Sequence, residues 1–340
     1  GTSPTATSPI SEMTMMKKTL LGSAIASALL FAGAASAAQT LQLAHNAAEG
    51  NPKWDASEMF AELVEEGTDG EIKIDVGGNA QYGDDMEALT LMRIGNLAFS
   101  TNSQGATSSV IPQFSVLGLP FLFDSLPSAW QVMDGEVGDE LKRLADEQGL
   151  VLLALWDNGI RHVSNNVRPI ETPEDLEGLK IRTPPDQVTV DIFESLGANP
   201  TPMNFSELYI ALQQGVVDGQ ENPLMNIYSS KLHEVQDYVS FTGHKYESTP
   251  LMVSKVVWST LSPEQQQVIQ EAAIEAGEFN RQASLAADEE LQAKMQEAGV
   301  EFNELDKAPF VEATASVYDE WREQYPELVE MVVNAAQQAQ

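Results

Sequence analysis

Arg182 ends the strand-like run Leu179-Lys180-Ile181, and one threonine separates it from Pro184-Pro185. A guanidinium fixed at a strand end offers a planar fork that holds both oxygens of a carboxylate while staying charged. About forty residues later, the run DGQENP supplies Asn222, whose amide both donates and accepts. Arg161, in the run DNGIRHVSN, follows a second apolar stretch, Val151–Trp156, and is a candidate for the same task. Phe205 stands before a helix expected over 207–214 with Ser206 as its N-cap, a place from which a ring can close over a ligand. Arg168, in a loop before a proline, is assigned to an ordinary ion pair. Asp218 and Gln220 are assigned to turn formation.

These residue types recognise; they do not react. The chain has no HExxH, GxSxG, P-loop or GxGxxG after a strand. His45, His162, His233 and His244 are scattered without metal-ligand spacing, and there is no cysteine. Paired carboxylates such as Asp84-Asp85 and Glu289-Glu290 are expected by chance among 51 acidic residues. The reading is therefore a binding protein, with no catalysis, no cofactor and no metal.

The formal net charge of −33 argues against nucleic acid and anionic membrane surfaces as partners. It also repels a small anion at long range, so capture requires local, desolvated donors. Each hydrogen bond to a charged group contributes about 1.5–3 kcal/mol. Two arginines and an amide then reach micromolar affinity, about −8 kcal/mol.

The elements that must position these groups follow a βαβαβ rhythm. Strands are expected at 41–44, 71–76 and 97–100, with helices at 56–66 and 84–94 between them. That order predicts a parallel sheet with helices on its faces, binding ligands beyond the carboxyl ends of its strands. His45 and Asn46, Gln81 and Tyr82, and Asn102 and Ser103 occupy such positions. Strands at 151–156 and 178–182 contribute Arg161 and Arg182 from a second domain. The SPEQ run at 262–265 is a capping box with proline at the first helical position. A helix running from there to 298, with Val268, Ala272, Ala276, Phe279, Ala283 and Ala286 on one face, is long enough to brace both domains.

The N-terminal part reads as an export signal starting at Met13, Met15 or Met16. Lys17 and Lys18 precede the apolar Thr19–Gly33, and Ala35-Ser36-Ala37 fits a cleavage site before Ala38. That apolar run is shorter than the roughly 20 residues that span a bilayer. Residues 1–12 precede any start at these methionines and are left out of the fold. The remaining chain of about 300 residues exceeds one comfortable core, so two domains are expected.

KIRTP, NPTPMNFSELYIALQQGVVDGQENP and NGIRHVSN together resemble the substrate-binding proteins of tripartite ATP-independent periplasmic (TRAP) transporters, in the C4-dicarboxylate-binding branch. LAHNAAEGNP, GNAQYGDDMEAL and LPFLF extend the likeness over essentially the whole chain after the signal. The resemblance implies two α/β domains of the periplasmic-binding-protein type, a hinge, a cleft that closes on the ligand, and delivery to a TRAP membrane permease. It places one domain over 38–158 and 248–288 and the other over 159–247 and 289–340, in a monomer that is periplasmic and not inserted in the membrane. It implies Arg182 as the principal carboxylate ligand, with Arg161, Phe205, Asn222 and Asn46 around it and His45 adjacent. Asn102-Ser103 stands where sialic acid binders of the family carry a glutamate, which argues against sialic acid. Tyr82 replaces a smaller residue of the family's S-Q-L-G loop. With His45, Asn46 and Asn102, it suits hydroxyls better than a second carboxylate. The expected ligand is a sugar acid, a hexuronate or an aldonate. A C4-dicarboxylate comes second and an ectoine-like or amino-alcohol solute third.

Overall fold

The computed structural model describes residues 37–340, so the export signal expected before Ala38 lies outside the described residues apart from Ala37. Its nine strands are β1 (Gln39–Ala44), β2 (Ile72–Gly77), β3 (Phe99–Thr101), β4 (Leu150–Asn165), β5 (Lys180–Thr183), β6 (Asn199–Pro202), β7 (Gly219–Asn222), β8 (Tyr238–Ser254) and β9 (Glu301–Asn303). They share one sheet in the order β2-β1-β3-β8-β4-β7-β5-β6, with β9 added alongside β8. The β2-β1-β3 flank is parallel, as is the β7-β5-β6 flank. Between them β4 and β8 run antiparallel to each other and to their outer neighbours. The two long strands therefore belong to both flanks, and Ala38–Gln340 forms one compact unit.

Sequence periodicity ends the fourth strand at Trp156, whereas β4 continues to Asn165 and carries Arg161 within it. The turn-forming Asp157-Asn158-Gly159 is absorbed as an irregularity of the β4–β8 ladder, and the register shifts again between Arg161 and Val163. Gly159 takes φ +124° there, a conformation that side chains resist, and a Cβ would lie 3.1 Å from Pro223.

The long helix expected from the capping box spans Pro263–Glu297, 35 residues or roughly 52 Å. Its capping box is formed: the Ser262 hydroxyl accepts from the Gln265 amide at 3.1 Å, and the Gln265 side chain accepts from Ser262 N–H at 3.0 Å. It packs on the helix Pro52–Gly67 and on β4, and farther along on the helix Leu224–Ser229. Ile269, Ala272, Ala273 and Ala276 form its buried stripe, and Gly277 leaves room for the Trp156 indole. The stripe does not continue through Phe279, which is 43% exposed, or through Ala286. Buried Asn280 and Ser284 face inward instead, because at this level the helix meets the irregular stretch of β4. The Asn280 side chain accepts the Asp157 N–H at 2.7 Å.

Asp157 is fully buried, taking Trp130 Nε1–H at 2.9 Å and Tyr246 O–H at 2.8 Å on one oxygen. Burial pushes its pKa up from 3.8 to about 6, against those hydrogen bonds. The folded state thus holds a proton that the unfolded state releases. This residue's contribution to stability is largest below pH 4, and falls as pH rises to about 6. Asp157→Asn is expected to gain on the wild type over that window, by up to about 3 kcal/mol, with a constant difference above it. Urea unfolding of both proteins from pH 4 to 8 measures this, and a difference that does not vary with pH contradicts it.

Candidate functional site

The cleft lies where loops beyond β1, β3 and β5 meet the long strands. One flank contributes Asn46, Ala47, Asn51, Lys53 and Ser103. The long strands and the segment after β7 add Asn158, Arg161, Glu247, Asn222, Asn226 and Ser230. Arg182, Pro184 and Phe205 close the other side.

Arg161 and Arg182 are both buried, yet their surroundings differ completely. Arg161 Nε and Nη2 reach the two carboxylate oxygens of Glu221 at 2.6 and 2.8 Å, and Nη2 also donates to the Glu221 carbonyl at 2.7 Å. Its Nη1 meets Glu247 at 2.7 Å. Burial opposes this charge, but Glu221 and Glu247 outweigh it and raise the Arg161 pKa. The network continues through His244, whose Nε2 lies 2.8 Å from Glu221, and through Lys245, 2.5 Å from Asp186 and 3.5 Å from Glu247. Burial favours a protonated Glu221, but Arg161 prevails and holds its carboxyl far below the usual range.

Arg182 is 2% exposed and spends only Nε on the protein, donating to the Met203 carbonyl at 3.0 Å. Its guanidinium stacks 5.7 Å from the centroid of the Phe205 ring. Among the described residues, no carboxylate pairs with it and no acceptor takes its terminal nitrogens. Burial, then the neighbouring Arg161, push its pKa down to about 10, which leaves it charged at neutral pH.

Asn222 ends β7 opposite His162 of β4 and belongs to a chain of amides. It donates to Gln220 at 2.8 Å and accepts from Asn226 at 2.9 Å. Asn226 also donates to Asn158 at 2.8 Å and accepts from Asn51 at 2.8 Å, so the chain joins the two flanks. At the lip, Asp84 accepts from the Ser206 hydroxyl at 2.5 Å and from its amide at 3.2 Å. Asn46 lies behind, 3.5 Å from both Asp84 and Lys53 Nζ.

Of the expected post-strand residues, His45, Gln81, Tyr82 and Asn102 stand outside the lining. His45 packs edge-on against Trp54, and its Nδ1 accepts from Ala47 N–H at 3.1 Å. Burial, then Lys53, push its pKa down to about 3, so it is neutral. Tyr82 donates to Asp75 at 2.5 Å, away from the cleft. Asn102 is fully buried, donating to the Asp85 carbonyl and Ser100 and accepting from Thr107, while the next residue, Ser103, faces the cleft. Position after a strand selects the loop but not which of two successive side chains points inward. Ser206 does not cap the following helix, which spans Leu208–Gln213; Asn204 and Glu207 form the local capping box. Arg168 donates to the Asp175 carbonyl rather than to a carboxylate.

Lys53, Asn51, Asn158, Asn226 and Glu247 were not singled out by the sequence. Asn51-Pro52 carried a signal for two of them, because Asn at the N-cap with Pro next starts the helix at Pro52 and brings Lys53 into its first turn. Among the described residues, no cluster of His, Asp or Glu is placed to hold a metal ion, and no helix is long and apolar enough to cross a membrane.

Residues 43–324 match the family of bacterial extracellular solute-binding proteins, family 7. The chain belongs to this family. Family 7 proteins are the solute-binding components of TRAP transporters; these binding proteins take small acids and work with TRAP permeases. The chain is 34% identical to the 2,3-diketo-L-gulonate-binding periplasmic protein YiaO of Escherichia coli, over 85% of this chain and 88% of YiaO. It is 48% identical to the uncharacterized protein y4mM of Sinorhizobium fredii over 85% of this chain, but spans only 53% of that protein's length. In structure it is similar to the sugar acid binding protein DctPAm of Advenella mimigardefordensis in complex with galactonate. The TM-score is 0.87 at 34% identity, covering 89% of this chain and 99% of the other.

The two cleft arginines should differ in their effect on folding. Arg161→Met strips Glu221 and Glu247 of their counter-charge and is expected to cost about 3–5 kcal/mol. Arg182→Met removes a charge that no acid neutralises, so stability without ligand should stay within about 1 kcal/mol of wild type or rise. Urea denaturation of both variants measures the contrast, and equal losses would contradict it.

Proposed function

We propose that this protein captures a sugar acid, a hexuronate or an aldonate, outside the cytoplasm and passes it unchanged to a TRAP permease. The observation that carries the reading is the Arg182 guanidinium, buried and charged with both terminal nitrogens uncommitted. A ligand carboxylate satisfies it with two charge-assisted hydrogen bonds. Asn222, Asn158, Asn226 and Ser103 provide neutral donors and acceptors suited to hydroxyls. Arg161 acts as part of the wall, holding Glu221 and Glu247 in place and offering the ligand at most one remaining N–H. The galactonate complex of the Advenella protein and the diketogulonate named for YiaO favour the same ligand class. A C4-dicarboxylate is the second reading, favoured by the second cation in the cleft, Lys53.

In this reading the protein is a periplasmic monomer exported by a cleaved signal and performs no chemistry on its ligand. The segments 38–158 and 248–288 close against 159–247 and 289–340, with the irregular middle of β4 and β8 as the hinge. Contacts across the cleft, Asp84 to Ser206 and Asn51 to Asn226, support a closed state.

Thermal-shift screening of aldonates, hexuronates and C4-dicarboxylates should give its largest rise with a sugar acid, with no consumption of the compound. By calorimetry, Arg182→Ala should weaken the best of these at least about a hundredfold. Unchanged affinity would remove the basis of the proposal. Small-angle scattering should show a smaller radius of gyration with ligand than without, and superimposable profiles would exclude closure.

A further inference from the structure

Lys53 occupies a position that a lysine does not adopt without a reason. It is 6% exposed and lies in the first turn of the helix Pro52–Gly67, next to the Asn51 cap. Backbone N–H groups make a helix N-terminus electropositive, so a cation there is disfavoured. Burial adds a desolvation penalty, which an adjacent carboxylate ordinarily offsets. Lys245, in the same cleft wall, shows this arrangement, at 2.5 Å from Asp186 and 3.5 Å from Glu247. Among the described residues, Lys53 has no carboxylate at ion-pair distance, and the one acceptor of its ammonium is the Asn46 side chain at 3.5 Å. Burial lowers its pKa, and only the more distant Asp85, Glu247 and Asp84 support its charge. Its side chain lines the cleft together with that of Arg182.

We infer that Lys53 is the second anchor of the ligand and determines specificity, donating to an oxygen-rich group at the end opposite the carboxylate held by Arg182. The inference rests on the proposed capture of an organic acid and adds the chemistry of the ligand's far end. Arg182 enters from the β5 side and Lys53 from the β1 side, so a molecule touching both bridges the two flanks. The acceptor is a hydroxyl or carbonyl of a sugar acid, or the second carboxylate of a diacid; all offer lone pairs to an ammonium. Engagement of Lys53 also bears on the lip. Asn46 stands 3.5 Å from both Lys53 and Asp84, and Asp84 holds Ser206 of the facing side. These long contacts can shorten when a ligand oxygen draws the ammonium into the cleft.

Calorimetric titration of wild type, Lys53→Met and Lys53→Gln with galactonate, glucuronate, galactarate and succinate tests this. Lys53→Met is expected to lose about tenfold to a hundredfold in affinity for whichever compound the wild type binds best. Lys53→Gln, which keeps an N–H donor, should fall between. A larger loss for galactarate and succinate assigns the far group as a carboxylate. A larger loss for galactonate or glucuronate assigns it as a hydroxyl or carbonyl. Either result supports the anchor. Affinities within twofold of wild type across the panel overturn it. Melting temperature without ligand should be unchanged or higher in Lys53→Met. If that variant does not fold, the Lys53→Gln and Lys53→Arg titrations decide, because a purely structural lysine would leave the ranking of the four compounds intact. Unchanged affinity in Arg182→Ala alongside a loss in Lys53→Met would overturn the Arg182 reading alone.

Discussion

The cleft depends on one constraint: a charge taken out of water must be neutralised close by. Five ionised groups share the wall, the cations Arg161 and Lys245 and the acids Asp186, Glu221 and Glu247. They come from β4, β7, β8 and the start of the helix Gln187–Ser195, so meeting this constraint also fixes how those elements sit around the cleft. His244 completes Glu221 without adding charge of its own, since burial lowers its pKa. The three acids outnumber the two cations, but their close contacts go to Arg161, Lys245, His244 and nearby hydroxyls, and none stands at ion-pair distance from Arg182. Among the described residues, its terminal nitrogens are left at the cleft without a protein partner.

The architecture places that charge between two flanks. Parallel strands at each edge of the sheet end in loops at the cleft, and β4 and β8 cross from one edge to the other. A crossing strand carries residues of both sides, which is how Asn158 and Arg161 stand within a few positions of each other. The bulges in β4 twist it locally and re-aim side chains at the point where the flanks meet. The helix Pro263–Glu297 spans the same junction, and where it passes the irregular strand its buried face turns from alanine to asparagine and serine.

Strong overall acidity sharpens the demand on this cleft. A chain of net charge −33 repels anions at a distance, so selectivity falls to groups that act only within hydrogen-bond reach. In the proposed function, two buried cations on facing flanks, a stacked phenylalanine and a chain of side-chain amides meet that demand. The amide chain also explains why Asn51, Asn222 and Asn226 hold their orientations, since Asn51 and Asn226 each make three side-chain hydrogen bonds and Asn222 makes two.

Much of this was legible in the residues themselves. Arg182 before two prolines, Asn222 in DGQENP, the SPEQ capping box and the alternation of strands with helices are local signals, each with a short-range physical cause, and they place the binding face without any knowledge of packing. The partners of buried groups were not legible. Arg161 and Arg182 have the same chemistry and similar sequence surroundings, and only the approach of Glu221 and Glu247, 60 and 86 residues from Arg161, pairs the first with acids and leaves the second without one. Lys53 precedes the helix expected at 56–66, and only the fold shows it buried with no carboxylate of the described residues at ion-pair distance. Sequence determines which groups exist and which local element each begins. Pairing between distant charges is settled by the tertiary structure, because electrostatic neutralisation acts through space and not along the chain.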